Sequence, residues 1–384
     1  MKRTKLTATA AAGIILVAGY AFAGAKAPPS EAKEAPKRHI DLVICLDTSG
    51  SMRGLIESAK QKLWAVVNEL ATAKPRPVLR VGLYHYGTPS LGAESGYVRQ
   101  LCPLTSDLDE VYGKLFPLRT SGGTEYVARV IRAATNELDW NMDKGTLRII
   151  FVAGNEPATQ DEATYKLQDI CKAAVSKGII VNTIHCGDEA TGRRTGWADA
   201  AAWADGQYAA INQNSGTVVI KTPYDSKISE LGEKLNTTYV AYGAAGEKGR
   251  AAQMAQDKNA ATLGAPAAAE RAAAKAGGLY VNTKWDLVDA SRQKDFDISK
   301  VKKEDLPENM RDMTVEERKS YVAEQAKRRD EMQKEIRELN EKRNEHVKQE
   351  MAKKGLSEDA AFDAALRAAV REQAQNANFQ FEQK

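Results

Sequence analysis

Histidine and cysteine are scarce in this chain, with four of each among 384 residues. So few cysteines cannot staple a chain of this length into a disulfide scaffold. None of them forms a Cys-x-x-Cys pair. His39, His85, His185 and His346 fit no His-Glu-x-x-His pattern, so they read as packed or surface residues rather than as a zinc site. A Gly-x-Ser-x-Gly elbow is absent, which removes the usual support for a serine nucleophile. A Walker loop is also absent, and with it the support for nucleotide hydrolysis. Charge of one sign is not in excess: Lys and Arg total 55 and Asp and Glu total 51, a net of +4. That balance argues against a dedicated nucleic-acid binder. What is present, 43% hydrophobic and 28% charged residues, describes a soluble folded chain with room for two domains, or one domain and an appendage.

Met1 to Ala25 reads as a cleaved export signal. Lys2, Arg3 and Lys5 precede the apolar stretch Thr9 to Ala23, and Ala21-Phe22-Ala23 supplies the small-x-small cleavage pattern. The competing reading is a retained anchor, but the run falls short of the ~20 apolar residues a spanning helix needs. No cysteine follows it, which argues against a lipoprotein. The mature chain is therefore expected in a periplasm or secreted beyond it, and not as an integral membrane protein. That compartment is oxidising. Cys45, Cys102, Cys171 and Cys186 nevertheless read as buried small hydrophobes, with a single disulfide left open because spacing cannot assign one.

A linker, 26–38, leads to Leu42-Val43-Ile44-Cys45-Leu46, apolar on both faces as a central parallel strand requires. A helix follows, with Ile56, Leu63, Val66, Val67 and Leu70 at helical spacing. Leu79 to Tyr86 and Tyr97 to Cys102 form a predicted antiparallel pair. Thr124 to Leu138 is a predicted helix, and Leu147 to Ala153 a second buried strand. Thr159-x-x-Glu162 is a capping box for a helix expected to run to Lys177. Ile179 to His185 is a third buried strand, Gly216 to Lys221 the expected last strand, and Ser226 to Tyr239 a closing helix. Trp197 and Trp203 read as helix residues packing on the sheet, with a partner-facing patch as the alternative. This alternation predicts an α/β fold: a doubly wound, mostly parallel sheet with helices on both faces, over 39–243. An Ala-rich connector and packing segment follows over 244–313, then a charged helical region over 314–384. Thr314-x-x-Glu317 caps that region, and Ser357 caps its last helix. Glu324/Arg328, Asp330/Lys334, Glu338/Lys342 and Glu350/Lys354 are favourable i,i+4 pairs. Met332, Ile336 and Leu339 make a narrow stripe. The helix reads as solvated, with coiled-coil pairing to another chain or docking on the sheet as alternatives.

In such sheets ligands sit at the carboxyl ends of the strands. Directly after the first strand comes Asp47-Thr48-Ser49-Gly50-Ser51, one carboxylate and a set of hydroxyls on a tight loop. These hard oxygen donors suit Mg²⁺, Mn²⁺ or Ca²⁺. Asp-x-Ser-x-Ser after a buried strand resembles the metal-ion-dependent adhesion site of von Willebrand factor type A domains, and the resemblance runs over roughly Ile40 to Gly243. Gly122-Gly123-Thr124 matches the family's metal-binding threonine loop. The resemblance implies an exported bacterial protein with Ser49 and Ser51 as direct ligands. It also implies Thr124 as a ligand, direct or through water, and Asp47 acting mainly through water. A carboxylate from the partner would complete the shell.

One position departs from that pattern. Where the family usually has an acidic residue after the strand Ile149 to Ala153, this chain has Gly154-Asn155-Glu156. Asn155 takes the acidic position, and Glu156 takes it if the loop shifts by one. A neutral amide lowers cation affinity by on the order of a kcal/mol or more, so the ion would bind weakly or only together with an acidic partner. The expected function is an exported, non-enzymatic, protein-binding module of adhesion or scaffold type. It engages an acidic side chain of a protein partner through a divalent cation at Asp47, Ser49, Ser51, Thr124 and Asn155. The alternatives are a metal-independent scaffold acting through the C-terminal helices and a divalent-metal-dependent hydrolase at the same residues.

Overall fold

The computed structural model describes residues 38–211, 219–355 and 362–381. The residues read as an export leader, nearly all of the expected linker, and Ser357 lie outside the described residues. In chain order the strands are β1 (His39–Asp47), β2 (Ala73–Lys74), β3 (Val78–Tyr86), β4 (Val98–Thr105), β5 (Leu147–Gly154), β6 (Ile179–Cys186), β7 (Tyr208–Ile211) and β8 (Gln380–Phe381). The main sheet has the order β4-β3-β1-β5-β6-β7, while β2 and β8 form a separate antiparallel pair. Every pairing in the main sheet is parallel except β3 with β4.

The helices are α1 (Arg53–Ala71), α2 (Leu108–Leu115), α3 (Val127–Glu137), α4 (Leu167–Ser176), α5 (Glu189–Arg194), α6 (Trp197–Trp203), α7 (Asp225–Leu235), α8 (Gly246–Thr262), α9 (Ala265–Ala276), α10 (Leu287–Ser291), α11 (Val315–Lys353) and α12 (Phe362–Asn376). No helix among the described residues is long and apolar enough to cross a membrane.

β1 shows why the run Leu42 to Leu46 is apolar on both faces. Ile40, Leu42, Ile44 and Leu46 enter the core on one face, with Leu63, Val66 and Leu70 of α1. Val43 and Cys45 enter the core on the other, with Val130 and Ile131 of α3 and Cys171 of α4. Alternate residues of a strand point to opposite faces, so the middle of a strand covered by helices on both sides is apolar, and a polar residue such as Asp41 is buried only with a partner, here Arg80 at 2.6 and 2.8 Å. Trp197 is fully buried in the second core and Trp203 packs against it, as the packing reading of both tryptophans expects. The four thiols are free and buried. Burial pushes Cys102 and Cys171 up to about 12, so both stay protonated and inert.

Several element boundaries differ from the sequence-based expectation. The helix expected from Thr159 begins only at Leu167. Asp161 is held by the Arg129 fork at 2.5 and 3.1 Å, and Ala158 N–H donates to the Thr195 carbonyl at 2.9 Å. These tertiary bonds fold the segment as turns, and Glu162 caps the Leu167 N–H at 3.2 Å. The helix expected from Thr124 begins at Val127, because Thr124 forms a β-bridge to Gly87. The strand expected over Gly216 to Lys221 lies partly outside the described residues, and residues 219–221 carry no strand. The sheet edge is formed instead by Tyr208–Ile211.

The C-terminal helices pack on the same chain. The Thr314 capping box is present in both halves. Ile336 of the narrow stripe is fully buried in the first core, with Met332 and Leu339 packed against it. Asp330 pairs with Arg292 at 2.7 Å rather than with Lys334. Glu350 pairs with Lys353, also at 2.7 Å, rather than with Lys354. Two arginines of α11 are buried in ion pairs: Arg329 with Asp286 and Asp289, and Arg343 with Asp225. α12 lies across α1, β5 and β6, burying Leu366 and Val370. Its Gln373 exchanges two hydrogen bonds with Asn182 of β6, at 2.7 and 3.1 Å.

Candidate metal centre

The chain leaves β1 for β3 on one side of the sheet, while β5, β6 and β7 extend on the other. The loops after β1 and β5 therefore diverge, and a crevice opens at their carboxyl ends. Asp47 is the last residue of β1 and is fully buried there. Its Oδ1 accepts the Ser49 N–H at 2.7 Å. Its Oδ2 is buried with no hydrogen-bond partner among the described residues. The Ser49 and Ser51 hydroxyl oxygens are 3.1 Å apart, and the Ser51 hydroxyl donates to Asn155 Oδ1 at 3.2 Å. So four of the five residues singled out by the sequence, Asp47, Ser49, Ser51 and Asn155, form one chain of contacts.

Thr124 lies on the loop that packs against them. Gly50 N–H donates to the Gly122 carbonyl at 2.7 Å, and Ser121 N–H donates to the Thr48 carbonyl at 2.9 Å. The Thr124 hydroxyl donates to the Gly123 carbonyl at 2.6 Å, so its described bond is within its own loop. Glu156, the other acidic candidate, anchors the β5 loop through its carbonyl, which accepts the Trp197 indole N–H at 2.8 Å.

Two glycines make the crevice narrow enough to matter. At Gly87, φ is +88° and a Cβ would fall 2.5 Å from Asp47 Oδ1. At Gly154 a Cβ would fall 2.5 Å from the Tyr86 hydroxyl and 3.1 Å from Asp47 Oδ2. A side chain at Gly87 would displace the Asp47 carboxyl group, and one at Gly154 would first displace the Tyr86 hydroxyl. Tyr86 closes the floor by donating to the Ala153 carbonyl at 3.1 Å.

The residue that sequence reasoning missed is Glu125. It is 7% exposed, and its Cγ lies 3.0 Å from the same point at Gly87 that Asp47 approaches. The Ser49 side chain acts on both carboxyls and favours the ionised form of each. Burial nevertheless pushes Asp47 up to about 8, and the charged groups acting on it, Glu125 and Glu156, are both anions. Burial also raises Glu125, with Glu156 adding to the effect. The only sequence signal was an acidic residue directly after the Gly-Gly-Thr loop. Among the described residues no three His, Cys, Asp or Glu side chains form a metal-ligand group by themselves. A cation here would need the hydroxyls and the amide as well.

His85 sits beside this loop, its Nδ1 3.1 Å from the Thr48 hydroxyl. Burial, with Arg99 adding, lowers it to about 4. The unfolded chain takes up this proton near pH 6.5, while the folded chain resists it. The stabilising contribution is thus complete above about pH 6.5 and is lost as pH falls toward about 4, by up to roughly 3 kcal/mol. The expected imidazole NMR midpoint lies below pH 5; a midpoint near 6.5 would show the ring to be solvated.

Over residues 42–156 the chain matches the family model for the von Willebrand factor type A domain. The span covers β1 to the loop after β5, and with it all five candidate ligands. Over that span, less than a third of the chain, the sequence is similar to a von Willebrand factor type A domain. A search of curated protein sequences gave no match. Among solved structures, the SpRpn10 VWA domain is 18% identical, with a TM-score of 0.36, covering 48% of this chain and 100% of its own. The pilus adhesin SpaC from Lactobacillus rhamnosus GG, in its open conformation, is 17% identical, with a TM-score of 0.36, over 47% of this chain and 29% of its own. Proximal thread matrix protein 1 from the mussel byssus is 10% identical, with a TM-score of 0.35, over 46% of this chain and 42% of its own.

Proposed function

We propose that this chain is an exported protein-binding module that holds a divalent cation at Asp47, Ser49, Ser51, Thr124 and Asn155 and uses it to engage an acidic side chain of a partner. The observation that carries this reading is the Asp47 carboxyl. It is fully buried, one of its oxygens lacks a hydrogen-bond partner among the described residues, and the charged groups acting on it are anions. A buried carboxylate in that setting is costly unless a positive charge joins it. The surrounding donors are hydroxyls and an amide oxygen, which suit Mg²⁺, Mn²⁺ or Ca²⁺. Bound there, the cation would supply a positive charge to which a partner carboxylate is drawn. Asp47, Ser49, Ser51, Thr124 and Asn155 would be the residues that hold the cation. Export rests on the leader-like residues 1–25, and it would put the module in a periplasm or outside the cell.

The test is calorimetry of the mature protein with Mg²⁺, Mn²⁺ and Ca²⁺, beside Asp47→Ala. The expected result is saturable binding on the order of 0.1–1 mM for the wild type and none for the variant. Identical, featureless traces for both proteins would remove the cation from the reading.

A further inference from the structure

The carboxylate usual after β5 is replaced by Asn155, yet the crevice is not short of negative charge. We infer that Glu125 is the charged residue that compensates for Asn155, so that the cation site draws its second carboxylate from the Thr124 loop instead of the β5 loop. This inference rests on the cation reading above and adds to it the residue that sets its strength.

Glu125 and Asp47 reach the same small space from opposite loops. A single point, the place of a Cβ at Gly87, lies 2.5 Å from Asp47 Oδ1 and 3.0 Å from Glu125 Cγ. The backbone holds Glu125 there: Thr124 N–H donates to the Gly87 carbonyl at 3.2 Å, forming the β-bridge that precedes it. Glu125 is 7% exposed, so its carboxyl is not a solvated surface group. Ser49, one of the ligands, acts on both carboxyls. The independent sign of a ligand is again Asp47 Oδ2, buried and unpartnered among the described residues on the Gly154 side of the same carboxyl group, while Oδ1 is the oxygen on the Glu125 side. Asn155, by contrast, is half-buried, and its oxygen is already engaged by the Ser51 hydroxyl. Repulsion between two buried carboxylates is relieved only by protonation or by a cation.

The experiment measures Mn²⁺ and Ca²⁺ affinity by calorimetry for the full mature chain and for Glu125→Gln, Asn155→Asp and the double variant, with melts in chelator as the folding control. Glu125→Gln keeps the shape and removes the charge. It is expected to weaken binding roughly tenfold to a hundredfold, the scale of one charge-assisted contact. Its melting temperature without metal should stay equal or rise, because one repulsion is gone. Asn155→Asp should tighten binding. The double variant should return close to wild type, since the charge removed from one loop is restored on the other. If Glu125→Gln binds like the wild type while Asp47→Ala does not bind, Glu125 is no part of the site and the inference falls, with the cation reading left standing. If neither the wild type nor Asn155→Asp binds either ion, the inference and the cation reading fall together.

Discussion

Replacing Arg329 with methionine is expected to lower the unfolding free energy by about 3–5 kcal/mol. The guanidinium is 1% exposed and donates to Asp286 at 2.7 and 3.2 Å, to Asp289 at 2.9 Å, and to the Thr238 carbonyl and hydroxyl at 2.7 and 3.1 Å. It also lies 3.8 Å from the centre of the Tyr239 ring. Methionine preserves much of the packing but leaves two buried carboxyls without their cation. Asp289 is already raised by burial and by Asp286, and removing the arginine raises it further. A group raised in the folded state favours folding more as pH falls, so the deficit of the variant should narrow between pH 7.5 and pH 5. Urea melts at the two pH values measure both effects. A loss under about 1 kcal/mol, or one that does not change with pH, would mean that the ion cluster is not what fastens α11.

Deleting residues 356–384 is expected to abolish cooperative unfolding near room temperature. Leu366, Val370 and Phe379 are all under 3% exposed, and burying side chains of that size stabilises by about 1.5–3 kcal/mol each. Their sum, roughly 5–9 kcal/mol, rivals the whole stability of an ordinary domain, about 5–15 kcal/mol. The deletion would also bare Ile44, Leu46, Leu63 and Val66, which line the space beneath Leu366, and would remove the β2–β8 pair. Dye binding to exposed apolar surface should rise and the near-ultraviolet dichroism should flatten. A sharp melt within a few degrees of the full chain would show that α12 is an accessory. The same packing bears on a scaffold acting through its tail alone: cutting the chain after Gly243 does not free a finished domain, because α12 covers the sheet.

The elements legible in the sequence were those whose signal is local. The middles of β1 and β5 are apolar on both faces because helices cover both, and five consecutive residues, Leu42 to Leu46 and Ile149 to Ala153, carry that information. The Asp47 loop was legible for the same reason, since the carboxylate and both serines lie within five residues of one turn. The capping box at Thr314 held because it involves only its own first turn. The box at Thr159 did not, because Arg129, 32 residues away, claims Asp161 and keeps the segment out of the helix. α11 read as a solvated helix because arginine ordinarily lies in water. Arg329 is buried through partners 40 and 43 residues away, which no periodicity reports. Glu125 was missed on the same ground, as it acts on Asp47 from 78 positions along the chain.

By itself the sequence determined the alternation of strands and helices, the sheet's central strands, and the donor set at the end of β1, since each depends on neighbours along the chain. Only the tertiary structure decided that α12 completes the sheet's cover, that α11 is fastened by buried arginines, and that the buried Glu125 acts on Asp47. Charges and apolar faces are bought into a protein interior by partners, and those partners are brought near by the fold, not by their place in the chain.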